Sequence, residues 1–213
     1  MRIGTYYRNE FLKNLNIKTN SNEKVLDVGC FDGYWLSTQK AKEKHAIDLD
    51  INPIYKGIKY KKGDGNKLPY KNNYFDKVFA FDVIEHVPLG TEKQFISELI
   101  RVTKKDGEIT LTTPSKYIKI FPRFLTTWMS KRWGHDKCNG YSKNEILNYL
   151  NNNKIKDIKF KKINCPYYFN LYFILRMLWV LNTNITKKIL AKIAKKDSKI
   201  IGENGYLIIK IIK

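Results

Sequence analysis

Residues 25–33 read Val25-Leu26-Asp27-Val28-Gly29-Cys30-Phe31-Asp32-Gly33. A short apolar run carries a carboxylate near its end, and two glycines follow where a strand must turn into a helix. Glycine at such a turn lets the backbone approach a ligand closely, and the N–H groups that open the helix can meet an anionic group. Asp48 follows Asp27 by 21 residues, at the end of the next apolar run. A carboxylate there can accept both hydroxyls of a ribose. A nicotinamide-dinucleotide site would show Gly-x-Gly-x-x-Gly in this turn, whereas this chain has Asp27-x-Gly29-x-x-x-Gly33. The carboxylate-first order disfavours the nicotinamide reading.

Outward from this stretch, strands and helices alternate. Tyr6, Tyr7, Phe11, Leu12 and Leu15 recur at helical spacing and predict an opening amphipathic helix. Strands are predicted over 24–29, 45–50, 58–64, 75–83 and 108–113, with helices over 33–41 and 91–103. Such alternation points to a parallel, doubly wound sheet. After Pro114 an aromatic, basic stretch with Phe121, Phe124, Trp128 and Trp133 reads as a cap over the site, followed by a helix over 142–151. Strands are predicted over 158–163 and 205–212, with two helical segments between them, so the closing strand is separated by an insertion. No internal repeat or low-complexity linker interrupts the chain. A single domain over 1–213 is expected, with a core over 24–115 and cap and insertion helices over 116–204.

Further motifs follow in order: Gly63-Asp64-Gly65, Lys67-Leu68-Pro69-Tyr70, Phe75-Asp76, Phe81-Asp82-Val83-Ile84-Glu85-His86-Val87 and Leu111-Thr112-Thr113-Pro114-Ser115. This series resembles the class I S-adenosylmethionine-dependent methyltransferases of the ubiquinone-biosynthesis type (methyltransferase type 11). The resemblance covers residues 24–115 and lies in the order of the motifs. It implies a Rossmann-like α/β fold, mostly parallel with an antiparallel C-terminal strand and a helical cap, and S-adenosylmethionine as cofactor. Position by position, it implies that Asp27, Gly29, Cys30 and Gly33 line the methionine end of the cofactor and that Asp48 holds the ribose, with Leu49 beside it. Asp64 and the backbone of Gly65 would meet the adenine, and Phe81 and Asp82 would floor the site beside the sulfonium. Phe31 stands where the middle glycine is usual, so a less open loop is expected.

A sulfonium methyl is already electrophilic, so such an enzyme must mainly align the acceptor and exclude water. A hydroxyl acceptor must also lose its proton. His86 is the first candidate base, because it follows the fourth strand at the carboxyl end of the sheet and its ordinary pKa lies near neutrality. Glu85 adjoins it, although neighbouring side chains often diverge. The alternative is that this pair orients a helix start or lines the pocket. His135, in Trp133-Gly134-His135-Asp136, is a second candidate on the cap, with an ordinary loop histidine as the alternative. His45, opening a buried strand, reads as structural.

The chain has 213 residues, enough for a domain that buries roughly 70% of its unfolded surface. Its 43% hydrophobic and 28% charged residues argue against wholesale disorder. The unusual quantity is charge: 40 Lys and Arg against 20 Asp and Glu give +20. Residues 1–115 carry +4 of it and 116–213 carry +16. That asymmetry suggests an anionic partner, against the plainer reading of a lysine-rich composition. Cys30, Cys138 and Cys165 lack paired spacing, so no disulfide framework or zinc site is indicated. The N-terminus shows no secretory pattern, and a cytoplasmic chain is expected, with a peripheral place on the inner membrane face as a further option.

Residues 165–181 are apolar and aromatic on nearly every helical face but short for a membrane span. Residues 185–196 follow with an apolar stripe and a lysine face. Such a pair suits an interfacial membrane anchor; packing in the core and an ordinary surface helix is the alternative. The expected acceptor is a small molecule, a lipid or a lipid-linked group methylated on oxygen. Two other readings stay open: an RNA methyltransferase, since lysines and aromatics can also hold nucleic acid, and a cofactor-binding partner subunit of weak activity.

Overall fold

The structure is a computed structural model that describes residues 3–15, 17–135, 140–151 and 153–213. Cys138, weighed above for a disulfide or zinc site, lies outside the described residues, as does Asp136; Cys30 and Cys165 are buried. In chain order the strands are β1 (Lys24–Val28), β2 (Glu43–Asp48), β3 (Lys59–Lys62), β4 (Phe75–Phe81), β5 (Thr103–Pro114), β6 (Asp157–Asn164) and β7 (Gly205–Ile212). The α-helices are α1 (Ile3–Asn14), α2 (Tyr34–Ser37), α3 (Glu92–Val102), α4 (Thr126–Arg132), α5 (Lys143–Leu150), α6 (Pro166–Asn170), α7 (Tyr172–Leu181) and α8 (Thr183–Asp197). The chain forms two compact units. One, the sheet unit, comprises Lys18–Thr113, Tyr141–Phe160 and Ile208–Lys213; the other, the helical unit, comprises Met1–Ile17, Pro114–Gly140 and Lys161–Leu207.

The seven strands hydrogen-bond in the order β3-β2-β1-β4-β5-β7-β6. β1 is parallel to both β2 and β4, and β2–β3 and β4–β5 are parallel as well. β7 closes the sheet antiparallel: Asp106 N–H donates to Lys213 O, at 2.9 Å, while at the other end Ser115 N–H donates to Gly205 O, at 2.9 Å. The expected Rossmann-like fold is therefore present. The chain winds from β1 to β2 and β3 in one direction and then crosses to β4 and β5 in the other. The carboxyl ends of β1 and β4 thus flank the switch point, where open α/β sheets bind ligands.

Near-continuous apolar runs make β1 and β4 central strands, as burial on both faces requires. Val25, Leu26, Val78, Phe79 and Ala80 are all fully buried. Trp35 of α2 packs on Phe79 at 4.4 Å and Phe81 at 4.9 Å between ring centroids. α3 buries Phe95, Ile96, Leu99 and Ile100 at helical spacing. α5 opens with a capping box, Ser142 accepting from Glu145 N–H while the Glu145 side chain accepts from Ser142 N–H.

Several sequence expectations needed correction. The helix predicted over 33–41 is one turn, Tyr34–Ser37. The Ser37 hydroxyl donates to Tyr34 O and that of Thr38 to Trp35 O, and the amides of Thr38 and Gln39 bond three residues back, which tightens and ends the helix. β4 stops at Phe81 because Asp82 turns to φ 54°. β5 begins five residues earlier than predicted, because the end of β7 supplies partners to Asp106 and Gly107. The predicted apolar helix over 165–181 is broken at Leu171 into α6 and α7, so the insertion has three helices instead of two. Asn170, a poor helix former, stands at the break.

In the helical unit, α1 and α6 meet α8. The Tyr7 and Tyr168 rings stack at 3.8 Å and 5°. The fully buried Asp197 carboxylate accepts from the Tyr7 hydroxyl (2.7 Å) and from the amides of Tyr167 (3.2 Å) and Tyr168 (3.1 Å). It thus caps the start of α6 from the end of α8. Burial, the largest effect, raises the Asp197 pKa above the usual carboxylate value despite these donors. Among the described residues no helix is long and apolar enough to cross a membrane.

Candidate active site

The loop after β1 is built on three left-handed residues at alternate positions. Gly29, Phe31 and Gly33 have φ of 74°, 48° and 76°. The two glycines adopt this conformation without cost, and each is also confined by a neighbour: a Cβ on Gly29 would overlap the Val83 side chain, and one on Gly33 would overlap the Tyr60 hydroxyl. Phe31 takes the same conformation with a bulky side chain, 45% of it exposed, and bears the strain that a glycine would avoid. Gly29 N–H donates to Ile47 O at 2.8 Å, which ties the loop to β2.

Asp48, at the end of β2, holds the loop from the other side. One carboxylate oxygen accepts Phe31 N–H at 2.8 Å and the other accepts Asp50 N–H at 3.0 Å. A carboxylate has about four acceptor sites, so lone pairs remain for further donors. Leu49, directly after it, is largely exposed. Asp27 is 4% exposed near the end of β1, in register with Ala46 and Phe79. Asp64 is exposed and accepts Asn66 N–H at 2.8 Å, which shapes the turn carrying Gly65; a Cβ on Gly65 would come within 2.6 Å of Phe95.

The electrostatics of this loop run against the rest of the molecule. Burial pushes the Cys30 thiol well above its usual pKa, and the carboxylates of Asp27, Asp48 and Asp32 push it further. Three acids therefore converge on one loop of a chain whose net charge is +20. Acids gathered on one loop suit a cationic ligand, and a carboxylate with spare lone pairs suits a diol. The sulfonium, ammonium and ribose of S-adenosylmethionine have that chemistry, so the residues present fit the cofactor.

At the end of β4, Phe81 is buried and Asp82 is held at φ 54° by Thr112. The Thr112 hydroxyl donates to the Asp82 carboxylate at 2.7 Å, and Asp82 N–H donates to Thr112 O at 3.0 Å. A left-handed aspartate fixed this way is strained backbone of the kind that collects at functional sites. The next turn, Ile84–His86, carries two of the three candidates for acid–base chemistry. Glu85 is buried and its carboxylate accepts the Thr113 hydroxyl at 3.3 Å; His86 is exposed, with a ring nitrogen within 4.8 Å of a Glu85 oxygen. The Tyr141 hydroxyl donates to Ile84 O at 3.0 Å and braces this turn. His135 belongs to the helical unit, where its amide donates to Ser130 O and its ring lies 5.6 Å from that of Trp133. His45 is buried among Tyr70, Tyr74 and Phe75, with its Nε2 3.2 Å from Glu43.

Sequence reasoning missed Tyr60, whose hydroxyl donates to Asp32 O at 2.8 Å, and Asp32 itself, whose carboxylate accepts Tyr34 N–H at 2.9 Å. Asp32 had a legible signal, an acid two residues before a helix. Tyr60 had none, lying on a short strand of mostly exposed lysines. Thr112 and Tyr141 are likewise visible only through their partners.

Residues 26–111 match the family described as "Methyltransferase domain". The chain is 28% identical to a demethylmenaquinone methyltransferase of Lactobacillus johnsonii, over 55% of this chain and 59% of that protein. It is 26% identical to the chloroplastic 2-methyl-6-phytyl-1,4-hydroquinone methyltransferase of Arabidopsis thaliana, over 68% of this chain and 44% of that one. The chain therefore spans about half the length of these curated relatives. Among solved structures it resembles phosphoethanolamine N-methyltransferase 2 of Haemonchus contortus, in complex with phosphomonomethylethanolamine and S-adenosylhomocysteine. The TM-score is 0.65 at 16% identity, covering 97% of this chain and 52% of that one. Fold, motif order and the acidic loop after β1 agree with these likenesses: residues 26–111 are similar to the methyltransferase domain of class I S-adenosylmethionine-dependent enzymes.

Proposed function

We propose that this protein methylates a hydroxyl of a small, apolar acceptor of the quinol or lipid type. The observation that carries the reading is the convergence of Asp27, Asp32 and Asp48 on the Cys30 loop, which suits a cationic cofactor beside the switch point. The two relatives named for a demethylmenaquinone and a phytyl-hydroquinone support a quinone-type acceptor. When bound, the cofactor supplies an electrophilic methyl carbon.

In this reading Asp48 receives the ribose hydroxyls with Leu49 beside them, Asp64 and the Gly65 backbone meet the adenine, and Asp27, Gly29, Cys30 and Gly33 line the methionine end. Phe81 and the Thr112-braced Asp82 form the floor. His86 would take the proton of the acceptor hydroxyl, with a Glu85 carboxylate oxygen within 4.8 Å of its ring. Such general-base assistance contributes about 100- to 10,000-fold.

The test is incubation of the purified chain with methyl-labelled cofactor and lipid or RNA extracts. Label in an organic-phase phenol ether supports the proposal. Label in RNA would favour a nucleic-acid acceptor, and cofactor binding without turnover would favour a partner subunit; either result overturns it. Under the proposal His86→Ala lowers kcat by about 100-fold or more with cofactor affinity unchanged.

A further inference from the structure

The helical unit presents its apolar residues in an unusual place. α7 covers only one of its faces, burying Tyr172 and Leu175, and leaves Ile174, Met177, Val180 and Leu181 exposed. The exposure rises toward the C-terminal end: Val180 is 81% and Leu181 72% exposed. A single residue, Asn182, joins α7 to α8. Its amide donates to Leu178 O at 2.8 Å and its side chain accepts Ile185 N–H at 3.0 Å, so it closes one helix and caps the next. Ile185, in the first turn of α8, is 57% exposed. The tip of this hairpin therefore carries a group of exposed aliphatic side chains.

Behind the tip lies a basic stripe. α8 buries Thr186, Leu190, Ile193, Ala194 and Asp197 and exposes Lys188, Lys192 and Lys195, with Lys199 exposed just beyond its end. The spacing of three and four residues puts these lysines on one face. The only acid within α6, α7 and α8 is Asp197, and it is buried against Tyr7. No surface carboxylate on these helices offsets the stripe. The helical unit as a whole has 18 Lys and Arg against 4 Asp and Glu, +14 of the chain's +20.

We propose that the α7–α8 hairpin docks this protein on an anionic lipid bilayer, with Val180, Leu181 and Ile185 entering the acyl boundary and Lys188, Lys192, Lys195 and Lys199 lying among the headgroups. α7 is ten residues long, about 15 Å, too short to span and long enough to enter the interface. Stable peripheral binding needs two signals, apolar insertion and electrostatic attraction, and both occur on adjoining helices here. Charge favours a polyanion over a typical protein partner. The chemistry of the tip then chooses between polyanions, because nucleic-acid platforms stack bases on aromatic rings whereas this tip is aliphatic.

Sedimentation with phosphatidylcholine vesicles, with and without phosphatidylglycerol, tests the proposal without cofactor or acceptor, so its outcome is separate from that of the methylation assay. The protein should pellet with the phosphatidylglycerol vesicles and lose binding as salt rises. Val180→Asp combined with Leu181→Asp, and separately Lys188→Glu with Lys192→Glu, should each weaken binding by about tenfold or more. S-adenosylhomocysteine binding should be unchanged in both, which shows that they are folded. Failure of the wild type to pellet, or pelleting of the tip variant like wild type, overturns the proposal. So does a light-scattering dimer that the tip substitutions dissociate in the absence of vesicle binding.

Discussion

The Asp48 carboxylate accepts the Phe31 backbone amide at 2.8 Å, so the residue proposed to bind ribose also fixes the loop proposed to line the methionine end of the cofactor. Two functions on one side chain predict a large effect of its loss. Asp48→Ala should weaken S-adenosylhomocysteine binding by about 10- to 100-fold, the equivalent of one or two charge-assisted hydrogen bonds. Asp48→Asn should fall between, since its amide oxygen still accepts. Titration calorimetry measures both, and unchanged affinity in the alanine variant would contradict the assignment.

Phe31 occupies a left-handed backbone position that costs a non-glycine residue about 1–2 kcal/mol. Phe31→Gly relieves that strain and loosens the unfolded chain by a comparable amount, so stability should stay within about 1 kcal/mol of wild type. Phe31→Val keeps the strain and adds β-branching, and should lose about 1–2 kcal/mol. Urea unfolding separates the two; equal stability of all three proteins would mean that the loop does not hold this conformation.

Glu43 joins β2 to its surroundings through Lys59 (2.8 Å), His45 (3.2 Å) and Lys24 (3.0 Å). These partners, Lys59 foremost, hold its carboxyl well below the usual range. A depressed folded value means stability that is present above the ordinary carboxylate pKa and is lost as pH falls toward the depressed one. Wild type should therefore lose stability as pH drops below about 4.3, and Glu43→Gln should show a shallower acid limb. Thermal unfolding across that range gives the comparison.

The Tyr7–Asp197 contact titrates with the opposite sign. Burial raises the Asp197 value, so the stability of its protonated form is present at low pH and is lost as pH rises through the raised value. Asp197→Ala strands the buried Tyr7 hydroxyl and two amides, at a cost of about 2–4 kcal/mol. Asp197→Asn should cost less, and its deficit against wild type should shrink as pH rises through that value. A deficit that grew with pH instead would mean that the carboxylate is favoured as an anion there.

The fold and the conformation of the loop after β1 were legible in one dimension because their determinants are local. Asp27, Gly29, Gly33 and Asp48 mark the ends of successive strands, and a turn needing positive φ announces itself through glycine. β7 was read from its apolar run with its observed bounds, Gly205–Ile212. The one-turn α2 was not legible, because Ser37 and Thr38 end it by bonds that compete with an otherwise plausible helical pattern. Nor were Tyr60 and Thr112, which act through partners 28 and 30 residues away.

The sequence by itself determined that a strand-turn-helix with acids at fixed spacing recurs along a parallel sheet, because strand and helix periods and glycine conformations are properties of neighbouring residues. It also determined that the region after the core is basic and apolar. Only the tertiary structure decided that Asp27, Asp32 and Asp48 converge on one thiol, that Asp197 is buried beneath Tyr7, and which face of α7 stays open. Those outcomes depend on which surfaces are withdrawn from water when distant segments pack. A helix apolar on nearly every side carries no mark of the side its neighbours will cover.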